Sequence, residues 1–146
     1  MPLKGIPSII SPALLHALAA MGHGDEIVLA DAHFPTSSIC RRGPIEIRAD
    51  GHKIPELLKA ILQLFPLDTY EDSVFVMKKT DEDKNLLLPH LAEYEKILSE
   101  AENKCMKMIE VERFAFYEQA KRAYAIVHTG ELAKYGNIIL KKGLAL

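Results

Sequence analysis

The chain is poor in the features that mark the commoner chemistries. It has only two cysteines, Cys40 and Cys105, which lie far apart and form no CxxC pair. Such thiols read as free and reduced rather than as a disulfide or a metal clip. The six histidines, His16, His23, His33, His52, His90 and His128, show neither HxxxH nor HExxH spacing, so the usual support for a zinc site is missing. There is no GxSxG elbow, no Walker loop and no GxGxxG motif. These absences leave an enzyme without metal or cofactor, or a binding module.

Charge of one sign is lacking too. Eighteen Lys and Arg against twenty Asp and Glu give a formal net charge of −2, which offers no electrostatic footprint for nucleic acid or an anionic membrane. No apolar run approaches the roughly 18 residues a membrane helix needs. Met1 to Gly5 is followed by no long apolar core before Ser11-Pro12, so a signal peptide is not expected and the reducing cytoplasm is the expected compartment. What is present is an ordinary globular composition, 49% hydrophobic and 26% charged, which excludes a disordered chain. A length of 146 residues suits a single domain over residues 1–146 that buries roughly two-thirds of its unfolded surface.

The pattern along the chain alternates between strand and helix. Ser11-Pro12 is a helix start, because serine caps orphan amides and proline at the first helical position has no amide to leave unpaired. That helix runs to about Met21, with Gly22 at the place where a left-handed residue would end it. Ile27 to Asp31 reads as a strand buried on both faces and ending in a carboxylate. A Pro/Ser/Thr-rich loop is expected from Phe34 to Ile39, and a second strand from Ile45 to Asp50. Ile54, Leu57, Leu58, Ile61, Leu62 and Phe65 recur at helical spacing, with Pro55 near the start and Pro66 just past the end, the clearest amphipathic helix in the chain. Val74 to Met77 reads as a strand, Thr80 to Asn85 as a charged loop, and Pro89 to Ala101 as a helix. Met108 to Val111, Tyr124 to His128 and Asn137 to Leu140 read as strands, with a helix from Phe114 to about Arg122. Such alternation predicts an α/β fold: one three-layer domain whose mainly parallel central sheet is covered by helices on both faces.

Several residues can carry chemistry, each with a plainer alternative. His23 lies between Gly22 and Gly24, has little cover of its own, and is the side chain suited to proton exchange near neutrality; it also fits a surface turn that caps the preceding helix. Asp31 closes an apolar strand, and ligands of open α/β sheets bind at the carboxyl ends of strands; a turn aspartate fits equally. Asp68 alone reads as a turn residue. Arg113 and Tyr117 are four apart and share a helical face, which also describes a solvated arginine beside a half-buried tyrosine. Tyr135-Gly136-Asn137 offers a phenol, an amide and open backbone suited to a neutral polyol, or a simple turn.

Taken in order, Met21-Gly22-His23-Gly24-Asp25-Glu26-Ile27, Asp31-Ala32-His33-Phe34-Pro35 and Ile47-Arg48-Ala49-Asp50-Gly51 resemble the fucose mutarotase/ribose pyranase family. Leu67-Asp68-Thr69-Tyr70, Arg113 through Glu118, Thr129-Gly130-Glu131 and Tyr135 through Gly143 continue the likeness over nearly the whole chain. The resemblance implies a cofactor-free isomerase that interconverts the anomers of L-fucose. It implies His23 as the proton donor, Tyr117 as a second catalytic residue, and Asp31, Asp68, Met77, Arg113, Tyr135 and Asn137 as sugar-contacting positions. Arginine at 113, where the ribose type carries histidine, favours fucose over ribose. Dimers or rings with shared sites are implied as well. A non-catalytic monosaccharide-binding module and a ribose pyranose–furanose converter are the competing expectations.

Overall fold

The computed structural model describes residues 1–146. Its elements in chain order are α1 (Pro12–Ala20), β1 (Glu26–Ala30), α2 (Thr36–Cys40), β2 (Ile45–Ala49), α3 (Ile54–Leu62) and β3 (Val74–Met77), then α4 (Pro89–Glu102), β4 (Ile109–Val111), α5 (Arg113–Lys121), β5 (Ala125–Thr129) and β6 (Ile138–Lys141). A single turn of 3₁₀ helix at Asp81–Asp83 interrupts the charged loop before α4. The strands form one sheet in the order β2-β5-β1-β6-β3-β4. Three neighbouring pairs are parallel, and only β6 runs antiparallel, between β1 and β3.

Strand alternation builds two cores. Ile27, Leu29, Ala125, Val127, Ile138 and Leu140 point to the larger one, where they meet Leu14, Leu57, Leu58, Ile61, Tyr94 and Leu98 of α1, α3 and α4. Val28, Ala30, Ile126 and Ile139 point the other way, onto Phe34 and onto Phe116 and Ala120 of α5. Helices therefore cover both faces of a mostly parallel sheet, as the alternating pattern predicts. The helix starts follow their capping chemistry: Ser11 Oγ accepts from the Leu14 amide at 3.1 Å, and the buried Glu131 carboxylate accepts from the Ile54 amide at 3.2 Å.

Two local expectations need correction. The segment from Phe34 to Ile39 is not all loop, because Thr36–Cys40 forms the short helix α2. Thr36 is buried and its hydroxyl lies 2.7 Å from His128 Nδ1, while Ser38 Oγ donates to the Pro35 carbonyl at 3.1 Å. Tertiary contact overrides the weak helix propensity of Thr and Ser there. The left-handed residue after α1 is Gly24, with φ of 89°, rather than Gly22. Met21 leaves the helix with extended backbone, so the sharp turn is made three residues later, at Gly24.

The tail of β6 packs directly under the Leu67-Asp68 segment. Leu67 bridges to Lys142, and the Gly143 amide donates to the Pro66 carbonyl at 2.7 Å. A Cβ on Gly143 would stand 2.5 Å from the Leu67 oxygen and 2.8 Å from Asp68 Cα, with backbone on both sides and nothing flexible to yield. Gly143→Ala should therefore lower stability by about 1–3 kcal/mol, the usual cost of overpacking, read as a lower urea midpoint. An unchanged midpoint would show that the Leu67-Asp68 segment gives way freely.

Candidate active site

The antiparallel β6 sorts the candidate residues into two groups. Asp31 follows β1, Met77 ends β3, Arg113 follows β4 and Asn137 precedes β6, so these four share one end of the sheet. His23 precedes β1 and Asp68 precedes β3, beside the far end of β6. The five residues of β1 separate the groups by about 16 Å of strand. One sugar ring does not reach that far.

At the first end, Asn137 Oδ1 accepts from the Asp31 amide at 2.7 Å, and Asp31 Oδ1 accepts from the His33 amide at 3.0 Å. Burial pushes the Asp31 carboxyl above its ordinary pKa, and the amides of His33, Gly136 and Phe34 only partly offset this. Arg113 Nε donates to the Tyr117 hydroxyl at 3.2 Å, and its guanidinium also lies over the rings of Phe114 and Tyr117, at 5.4 and 5.6 Å. Tyr117 packs edge to face on Phe34. With its oxygen accepting from arginine, Tyr117 keeps its own proton for an outside acceptor.

The phenol of Tyr135 is tied to its own chain. Its hydroxyl donates to Asp83 Oδ2 at 2.6 Å and receives the Thr80 amide at 3.2 Å, so its proton is committed within the chain. Met77 is buried in the smaller core. Phe116 is fully buried and out of reach of any ligand, whereas Phe114 is 65% exposed.

At the second end, His23 Nε2 lies 3.0 Å from Asp68 Oδ1, with the imidazole 40% exposed and the carboxylate 2%. The hydrogen bond from His23 holds the Asp68 carboxyl below its ordinary pKa, so the carboxylate is ionised and can only accept. Nε2 therefore carries the proton, and Nδ1 is the atom left free to exchange protons. The Asp68 oxygen also accepts from the Tyr70 amide at 3.1 Å, and the Tyr70 ring stands 5.4 Å from the imidazole. The turn carrying His23 is tied from below: Asp25 Oδ2 accepts from the Gly22 amide at 2.7 Å, and the Gly24 amide donates to the Lys142 carbonyl at 2.8 Å. Lys142 Nζ in turn donates to the Leu18 and Met21 carbonyls at the end of α1, where a cation also suits the helix dipole. A groove of about 1210 Å³ between α3 and α4 contains none of the candidate residues.

Residues 4–145 match the family model described as the RbsD / FucU transport protein family. The chain belongs to the RbsD/FucU family. It is similar to the fucose mutarotase of Mus musculus, 61% identical over 145 residues that cover 97% of this chain and 94% of that protein. The fucose mutarotase of Danio rerio is 60% identical over 144 residues, with the same coverage. Among solved structures, the fucose mutarotase from Streptococcus pneumoniae in complex with L-fucose superposes with a TM-score of 0.91 at 46% identity, covering 99% of this chain and all of that one. RbsD of Bacillus subtilis complexed with D-ribose shares the fold at a TM-score of 0.76 and 24% identity.

Reading the sequence as an RbsD/FucU chain misses the groups that hold Tyr135. Thr80 and Asp83 lie in a charged loop without a motif, and His90 and Tyr94 look like ordinary residues of α4. The one signal available was the i, i+4 pairing of two ring residues at the start of that helix.

The two aspartates should titrate in opposite directions, checked by carboxyl ¹³C NMR. Asp68, lowered by His23, adds stability above its ordinary pKa and loses it as pH falls through the lowered value. In His23→Ala its pKa should climb back toward normal. Asp31, raised by burial, should titrate above the normal carboxylate range. An Asp68 pKa indifferent to His23→Ala would refute the pairing.

Proposed function

We propose that the protein interconverts α- and β-L-fucose by general acid/base opening and reclosure of the sugar ring, in a cytoplasmic assembly where each site is shared by two copies of the chain. The observation that carries the reading is the His23–Asp68 pair: an exposed imidazole whose Nε2 is committed to an ionised carboxylate and whose Nδ1 is free. Relatives at 60–61% identity named fucose mutarotase, and a closely superposing fucose mutarotase with L-fucose bound, support the substrate.

Anomerisation breaks the C1–O5 bond, turns the aldehyde about C1–C2, and closes the ring on its other face. Opening removes a proton from the anomeric hydroxyl and delivers one to the ring oxygen. His23 Nδ1 handles one of these protons, and Tyr117 or an ordered water handles the other. Reclosure reverses both transfers, so the starting protonation states return after each turnover. General acid and general base each contribute roughly 10²–10⁴-fold, and the reaction needs no electron sink.

Asp31 and Asn137 hold sugar hydroxyls, and Arg113 donates to a sugar oxygen while anchoring Tyr117. The apolar 6-methyl group finds a ring edge at Phe114 or Tyr135. Because β1 keeps His23 about 16 Å from this group, the imidazole that serves it belongs to a neighbouring copy. The site is therefore two half-sites that meet on assembly.

Saturation-transfer proton NMR on equilibrated L-fucose tests the chemistry. Irradiating one anomeric signal should transfer saturation to the other with the wild-type protein, and His23→Ala should slow this exchange at least 100-fold. No transfer with an intact assembly would leave a sugar-binding module as the better reading. Sharing is tested by mixing inactive subunits. His23→Ala and Asn137→Ala chains, unfolded together and refolded as mixed assemblies, should recover a measurable fraction of activity, since some interfaces join the intact half of each. Zero recovery would place the whole site within one chain.

A further inference from the structure

The turn that delivers Tyr135 and Asn137 is held by a helix that the proposed chemistry does not use. His90 and Tyr94 stand four apart on α4 and so on one face. His90 Nε2 lies 3.1 Å from the Tyr135 carbonyl oxygen, and the Tyr94 hydroxyl donates to the Gly136 carbonyl at 2.8 Å. A carbonyl oxygen only accepts, so His90 is the donor. The two rings pack edge to face with centroids 5.3 Å apart, each limiting the other's rotation. Tyr94 is fully buried, and its hydroxyl finds its partner in this turn.

The captured turn is one the backbone does not adopt unaided. Tyr135 has φ of 59°, a left-handed conformation unfavourable for a residue with a Cβ. Gly136 leaves no room for a side chain, since a Cβ there would stand 2.9 Å from the Ala133 oxygen and 3.1 Å from Glu131 Cγ. The next residue is Asn137, whose amide oxygen receives the Asp31 N–H. Holding two successive carbonyls from α4 thus fixes both the Tyr135 ring and the Asn137–Asp31 contact.

We propose that His90 and Tyr94 are positioning residues for sugar binding, clamping the Tyr135-Gly136 turn in its left-handed form so that ring and amide stand ready beside Asp31. The inference rests on the sugar-binding role proposed for this half-site. His23 and Tyr117 lie on other elements, so loosening the clamp weakens binding and leaves proton transfer in the bound complex nearly intact.

The test uses the intact assembly of wild type, His90→Ala, His90→Gln and Tyr94→Phe, with anomer exchange measured across L-fucose concentrations and amide hydrogen exchange at Asp31. His90→Ala and Tyr94→Phe should each raise KM roughly tenfold, the effect of one hydrogen bond, with kcat within about twofold. His90→Gln, which keeps an amide donor, should restore most of the affinity. The Asp31 amide should exchange faster in the two weakened variants. A fall in kcat at constant KM would indicate only a loss of folded enzyme and would overturn the positioning role, as would unchanged Asp31 exchange. Failure of His90→Gln to rescue would overturn the assignment of His90 as donor. A wild type without anomer exchange would refute the fucose reading itself, while Asp31 exchange would still decide the clamp.

Discussion

The insertion of β6, antiparallel, between β1 and β3 is the constraint on which the rest of the structure depends. A parallel strand in that place would carry Asn137 away from Asp31. Running the other way, β6 begins beside the carboxyl end of β1 and finishes beside the turns that hold His23 and Asp68. Both half-sites are thus fastened to the same strand, one at each end. Its central residues, Ile138, Ile139 and Leu140, are fully buried between the two cores, so the strand acts as a rigid spacer. The close approach of Gly143 to Leu67 and Asp68 follows from the same placement.

The two ends divide the electrostatic labour. Asp68 is shielded from solvent yet kept ionised by His23 and by the Tyr70 amide, so it acts as the acceptor in its bond with His23 Nε2. Asp31 is buried without a cationic side chain bonded to it, and desolvation raises its pKa. Such a carboxylate gains from any hydroxyl that donates to it, because a sugar replaces part of the lost hydration. Environment, rather than residue type, gives the two aspartates different duties.

Most of the architecture was legible because it follows from periodicity. The stripe that begins at Ile54 reads as an amphipathic helix, which forms over Ile54–Leu62 and stops short of Phe65, and the apolar run from Ile27 reads as the buried strand that forms over Glu26–Ala30. α2 was not legible, since Thr36 and Ser38 favour loops locally and are held helical by His128 and Pro35. The candidate residues were legible through family resemblance, but their partition was not drawn from it. His23 and Asp31 are eight positions apart in sequence and look like neighbours until β1 is recognised as the spacer between them. The partners of Tyr135 were not legible either. Its residue type suggested a hydroxyl donor, whereas Thr80 and Asp83 occupy that hydroxyl through contacts more than fifty residues distant, which no local pattern encodes.

Each half-site also carries an aromatic ring that a lone chain leaves in water. Tyr70, 72% exposed, stands against His23, and Phe114, 65% exposed, stands against Arg113 and Tyr117. Burying a side chain of this size contributes about 1.5–3 kcal/mol, so bringing the two ends together stabilises the contact with the same residues that surround the reacting sugar. A neutral monosaccharide offers no charge to pull it into a site, and its hydroxyls compete poorly with water for exposed donors. Closing the two half-sites around it removes that competition and strengthens every hydrogen bond within. On the shared-site proposal, assembly and substrate recognition draw on one surface.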